Sequence, residues 1–164
     1  MSERDDIVKI IQNNDVQALI QKAKNIRDID SANIRITIHD KNNNNNNQGR
    51  NDNSQQLLIP EDGLTLLHVA AFYDSLDCFR YLQLSRQISL RKQSSHSFLP
   101  IHYACWAGAC EVSLYILTED PSQSSYIVQG ADDLQLLYCT LMGGDAEVLR
   151  TLFEKGATLT QHNQ

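Results

Sequence analysis

The side chains in this sequence best suited to chemistry are its histidines and cysteines. His102 and Cys105 lie one helical turn apart, with His96 and Cys110 close by along the chain. A closed zinc site normally takes four ligands arranged as recognisable short-spaced pairs. No second pair accompanies His102 and Cys105, so no metal is expected. Nucleophilic catalysis needs a Ser, Cys or Thr beside an activating base in a site sheltered from water, and here candidates exist only by count. Gly143-Gly144, the one Gly-Gly pair, falls at a helix-to-helix turn and not after a strand, where a phosphate-cradling loop would lie. The carboxylate pairs Glu119-Asp120 and Asp132-Asp133 fall in connectors, where solvated turn residues are the ordinary explanation. The expectation is a protein with no catalytic residue, no metal and no cofactor, not an enzyme.

The bulk properties point the same way. A chain of 164 residues with 41% hydrophobic and 21% charged residues has the composition of one folded domain. A net charge of -6 without a basic face disfavours nucleic acid and anionic membrane as partners. Met1 is followed by Ser-Glu-Arg-Asp-Asp, unlike a secretory leader, and no stretch approaches the roughly 18 apolar residues of a membrane span. The expected compartment is the cytoplasm, with nucleus or cytoskeleton as alternatives; the chain is not expected to be secreted. Cys78, Cys105, Cys110 and Cys139 sit inside apolar helical patterns, as reduced buried thiols do, and lack the spacing of a disulfide framework.

The elements that would position these residues form a repeat. One segment runs from Asp62 through Gly63-Leu64-Thr65-Leu66-Leu67-His68-Val69-Ala70-Ala71-Phe72-Tyr73 to Leu76-Asp77-Cys78-Phe79-Arg80-Tyr81-Leu82. A second runs from Phe98-Leu99-Pro100-Ile101-His102-Tyr103-Ala104-Cys105-Trp106-Ala107-Gly108 to Glu111-Val112-Ser113-Leu114-Tyr115-Ile116-Leu117. A third, weaker at its start, runs from Leu134 through Tyr138 and Met142-Gly143-Gly144 to Glu147-Val148-Leu149-Arg150-Thr151-Leu152-Phe153-Glu154-Lys155-Gly156-Ala157. His68, His102 and Tyr138 mark equivalent positions about 34 and 36 residues apart, close to a period of 33. Each unit reads as a short helix with small residues, a turn, and a longer helix with an apolar stripe. Ala70, Ala71, Ala104 and Cys105 allow close helix approach, while Phe79, Leu82, Ile116, Leu149 and Leu152 supply the stripe. One unit cannot bury both faces, so stability must come from stacked neighbours.

On these residues the chain resembles the ankyrin-repeat family. Thr65 to His68 and Leu99 to His102 are variants of Thr-Pro-Leu-His, and Glu154 to Ala157 is similar to the Gly-Ala end of a unit. The pattern is broken at Leu66, where Pro is expected, at Asp74, where Gly is expected, and through the opening of the third unit. The resemblance implies an all-α solenoid of about four stacked helix-turn-helix units with projecting loops, in a single domain. Residues 4–30 would be a degenerate amino-terminal capping repeat, with Arg4, Asp5, Lys9 and Gln12 facing solvent, and 61–94, 95–129 and 130–164 the repeats. An Asn-rich insertion at 40–56 would form a disordered excursion from an inter-repeat loop. Thr158 to Gln164 follow a completed unit without a clear polar capping helix, which suggests a longer array or a last face that rests on another surface.

The resemblance also implies residue roles. Thr65, His68, Pro100, His102, Gly108 and Gly144 would be structural motif positions, with the two histidines bonding the backbone of adjoining loops. The positions that face the concave groove in the family are here Phe72 and Tyr73, Trp106 and Ala107, Met142 and Gly143, and the loop tips are Leu64, Phe98 and Leu134. Aromatic and large apolar side chains recurring over three units are typical of a protein-binding surface. The partner-binding set is therefore Leu64, Phe72, Tyr73, Phe98, Trp106, Leu134 and Met142. The alternative is that these side chains pack on neighbouring units or lie under a folded-back connector. The implied function is an adaptor or scaffold that binds another protein. Its rivals are a structural subunit within a larger, for example cytoskeletal, complex and a regulatory module associated with an enzyme on another chain.

Overall fold

The computed structural model of the chain describes residues 3–26, 31–36, 60–121, 123 and 146–154. The Asn-rich stretch at 40–56, the opening of the third unit with Leu134, Met142 and Gly144, and Thr158 to Gln164 lie outside these residues. The described part is helical: α1 (Glu3–Gln12), α2 (Val16–Ala23), α3 (Leu66–Phe72), α4 (Leu76–Arg80), α5 (Pro100–Trp106), α6 (Cys110–Glu119) and α7 (Ala146–Glu154). A π-helical turn, Tyr81–Ser85, continues α4.

The helices pair as α1 with α2, α3 with α4 and α5 with α6, and like helices of neighbouring pairs touch. α3 packs between α1 and α5, while α4 packs between α2 and α6, with α7 following α6. The core lies between these two layers. Ala70, Ala71, Ala104 and Cys105 are buried, and their small side chains let the short helices approach. Phe79, Leu82, Val112, Ile116 and Leu117 fill the layer behind them, and Leu149 packs on its edge. At the amino-terminal end Ile7, Ile11 and Leu19 face inward, while Asp5, Lys9 and Gln12 are exposed.

One turn geometry closes all three described pairs. Asn14, Asp74 and Gly108 take the left-handed conformation, with φ of 52°, 56° and 68°. Their N–H groups donate three residues back, to Ile11 O (2.9 Å), Ala71 O (3.3 Å) and Cys105 O (3.2 Å). The following N–H groups of Asp15, Ser75 and Ala109 donate five residues back, to Ile10 O (3.0 Å), Ala70 O (2.9 Å) and Ala104 O (2.8 Å). These bonds satisfy carbonyls that a helix end otherwise leaves orphaned. Asp and Asn tolerate the left-handed region better than other residues with a Cβ, which is why Asp74 stands where Gly is expected without disturbing the turn.

The connectors form a second ladder. Ile34 and Leu64 make an isolated antiparallel bridge, with N–H to O distances of 2.8 and 2.9 Å in the two directions, and the Ile36 N–H donates to Glu61 O at 2.9 Å. Ile36 and Glu61 are thus joined across the segment that carries the Asn-rich stretch, a closure whose cost grows slowly with the length of intervening chain. In the next connector the Ser95 N–H donates to Gly63 O (2.8 Å) and its Oγ to Ala32 O (2.9 Å).

Candidate partner-binding face

α3 starts at Thr65, whose extended backbone and hydroxyl cap its first turn, and Thr65 and His68 bond each other across that turn. The Thr65 hydroxyl lies 2.7 Å from His68 Nδ1, and Nε2 lies 2.7 Å from Phe98 O in the next connector. Because a carbonyl can only accept, Nε2 carries the proton, and because the Thr65 N–H, which can only donate, points at Nδ1 from 3.4 Å, Nδ1 is the acceptor. His68 is therefore neutral. Burial pushes its pKa down to about 4, against the opposing pull of the Phe98 carbonyl. In α5 Pro100 occupies the first turn, a position where its missing N–H costs nothing. His102 Nδ1 accepts the Leu99 N–H at 3.0 Å, and burial again pushes the pKa down to about 4. His68 thus ties α3 to the next connector, whereas His102 caps the first turn of its own helix. Among the described residues no three His, Cys, Asp or Glu side chains come together as metal ligands. Cys78 and Cys105 are buried and Cys110 half-buried, all as free thiols, and burial pushes the Cys78 thiol up to about 12.

Residues 62–91 match the family model described as Ankyrin repeat. The chain carries an ankyrin repeat. No curated protein matches the chain. The ankyrin match spans the whole of the α3–α4 pair with its π-helical turn.

Within this ankyrin repeat the geometry corrects two of the expected partner-binding residues. Leu64 is 0% exposed and Phe72 is 1% exposed. Leu64 turns inward because its backbone pairs with Ile34 on the connector ladder, and every residue of α3 is buried. Phe72 goes inward with the helix, its ring edge-on to Tyr73 at 5.0 Å. Neither can touch a partner without leaving the core. Tyr73, Phe98 and Trp106 are half-buried and packed on the edge of that core. Phe98 also has structural work, since its ring stands edge-on to His102 at 5.2 Å and its carbonyl receives His68. Tyr73 and Trp106 are the aromatic members of the set at the turn end of the short helices, while Leu134 and Met142 lie outside the described residues.

Sequence reasoning missed three residues that hold this face together. The Asn14 Oδ1 accepts the Cys78 N–H at 3.2 Å, and the Asp74 Oδ1 accepts the Val112 N–H at 2.9 Å. Each turn residue thereby caps the second helix of the next pair. Neither Ser75 nor Ala109, the residues at those helix starts, caps with its own side chain, whereas Asp15 does so for α2 through the Ala18 N–H. Ala109 could have signalled the need, because it has no acceptor to offer. The third missed residue is Tyr103, buried, whose hydroxyl donates to Pro60 O at 2.6 Å.

Proposed function

We propose that this protein is a non-catalytic protein-protein interaction module, an adaptor or scaffold that grips a protein partner along the turn end of its short helices and the adjoining connector tips. The observation that carries this reading is the contrast between Phe72, which is fully packed, and its neighbours Tyr73 and Trp106, which the core leaves half-covered. Tyr and Trp combine a large apolar body with a polar handle, which suits a surface that is covered only part of the time. Leu134 and Met142 would extend the same row into the third unit. Residues 4–30 serve in this reading as the capping repeat, with 61–94, 95–129 and 130–164 as the repeats, in a cytoplasmic protein that needs no cofactor.

The test is affinity purification of the intact chain from its native cells, repeated with Tyr73→Ala and Trp106→Ala. Both variants should keep the helical spectrum and lose the bound protein. A partner recovered equally with the parent chain and with both variants overturns the reading. One observation favours the rival, a structural subunit held by its second-helix layer: Leu84 is the exposed large apolar side chain of the described residues, at 58%. Loss of the partner with Leu84→Ser, and not with Trp106→Ala, would establish that alternative.

A further inference from the structure

From Cys78 to Cys110 the chain has no Asp or Glu, yet holds Arg80, Arg86, Arg91 and Lys92, in a protein of net charge -6. This is the longest stretch of the sequence without an acidic residue. It contains the non-helical connector from Arg86 to Leu99 and its serines 89, 94, 95 and 97. Three of these are committed to the fold. Ser94 is buried, and its Oγ accepts the N–H groups of His96 (3.2 Å) and Phe98 (3.1 Å). Ser95 spends its hydroxyl on Ala32 O. Ser97 holds the left-handed position of a tight turn, with its N–H on Ser94 O at 3.0 Å. Ser89 differs. It is exposed and heads a turn closed by the Lys92 N–H on its carbonyl (3.0 Å), and its Oγ accepts the Arg91 N–H at 3.0 Å. Arg86 stands three residues before it, half-buried, with one long bond to Ile26 O at 3.4 Å.

We propose that Ser89 is a phosphorylation site for an arginine-directed serine kinase, and that the phosphate draws Arg91 away from Asp120. An enzyme whose substrate groove is lined with carboxylates is repelled by most of this acidic chain, and can approach a connector that carries cations and no acid. In the reaction the Ser89 Oγ attacks the γ-phosphorus of ATP. The Oγ–P bond forms, the bond to the bridging oxygen breaks, ADP leaves with the electron pair, and the hydroxyl proton passes to the kinase's base. The product places close to two negative charges and three strong acceptors in a turn that contains Arg91 and Lys92. Arg91 at present holds Asp120, just past α6, with Nε to Oδ2 at 2.7 Å and Nη2 to Oδ1 at 3.1 Å. A largely solvent-accessible pair of this kind is weak, and a dianionic phosphate two residues from Arg91 outcompetes a single carboxylate that reaches it from 29 residues along the chain. The modification therefore detaches the connector from the carboxyl-terminal end of α6.

The test uses the intact chain, ATP and the catalytic subunit of an arginine-directed serine kinase, with the phosphate located by mass spectrometry. One phosphate should form on Ser89, disappear in Ser89→Ala, and persist in Ser95→Ala. Amide exchange over residues 117–121 should then rise on phosphorylation, and Asp120→Asn should produce the same rise without phosphate. Phosphate on Ser94, Ser95 or Ser97 in place of Ser89 overturns the site, as does a folded chain left unmodified while a peptide of residues 84–93 is phosphorylated. Phosphate on Ser89 with unchanged exchange at 117–121 overturns the Arg91 switch.

Discussion

Asp74 Oδ1 accepts the Val112 N–H at 2.9 Å, so the turn that ends one helix pair caps the second helix of the next. Asn14 does the same for Cys78 at 3.2 Å. Two demands meet at each position: a backbone that tolerates positive φ, and a short side chain with an acceptor. Asn and Asp meet both.

Replacing Asp74 separates these demands. Asp74→Gly keeps the turn and loses the cap, which should cost roughly 1 kcal/mol. Asp74→Ala loses the cap and also strains the left-handed backbone, adding about 1 kcal/mol more. Urea unfolding of both variants checks the order, and equal stabilities would mean that the cap is the whole contribution.

Phe72 and Trp106 occupy equivalent positions in successive pairs and should behave oppositely. Phe72→Ala removes a fully buried ring and should cost on the order of 3–5 kcal/mol of fold stability. Trp106→Ala should leave folding nearly intact and weaken a partner complex by about 2 kcal/mol or more. Thermal unfolding alongside a binding titration reads both, and the assignment of roles fails if Trp106→Ala unfolds the chain as readily as Phe72→Ala.

Gly63 stands at φ 71°, and a Cβ added there would come within 2.6 Å of Ser95 Cβ and 2.8 Å of Ser95 Oγ. Gly63→Ala should therefore combine backbone strain with loss of the Gly63–Ser95 connector contact, a penalty of about 2 kcal/mol. Ser95→Gly in the same chain should recover the steric part only. Melting temperatures of the single and double variants measure the split.

Stability should fall in mild acid through the two neutral histidines. Their pKa values are lowered from 6.5 to about 4 in the fold, so below pH 6.5 the unfolded chain binds protons that the folded chain refuses. The contribution is complete above pH 6.5 and is lost progressively as pH falls towards 4. For His68 it amounts to roughly 3 kcal/mol, and for the less buried His102 to less. Unfolding free energies at pH 7.5 and 5, compared between the parent chain and His68→Gln, isolate the effect. The variant should show the flatter profile, and identical profiles would refute neutral burial of His68.

Much of the architecture was legible because it rests on short-range periodicity. The small residues Ala70, Ala71, Ala104 and Cys105, the stripes through Phe79 and Ile116, and the recurring His68 and His102 all report local helix geometry and the need to bury one face. Local spacing alone therefore determined an all-α chain of repeated helix pairs. Tertiary structure decided what each side chain meets. Leu64 and Phe72 have the residue types of a binding surface, but an antiparallel pairing with Ile34 and the enclosure of α3 by its neighbours turned them into core. Asp74 read as a departure from pattern until the Val112 N–H, 38 residues away in sequence, came within hydrogen-bonding distance. Burial and long-range partners are properties of the assembled stack, because a contact between distant segments depends on every turn between them.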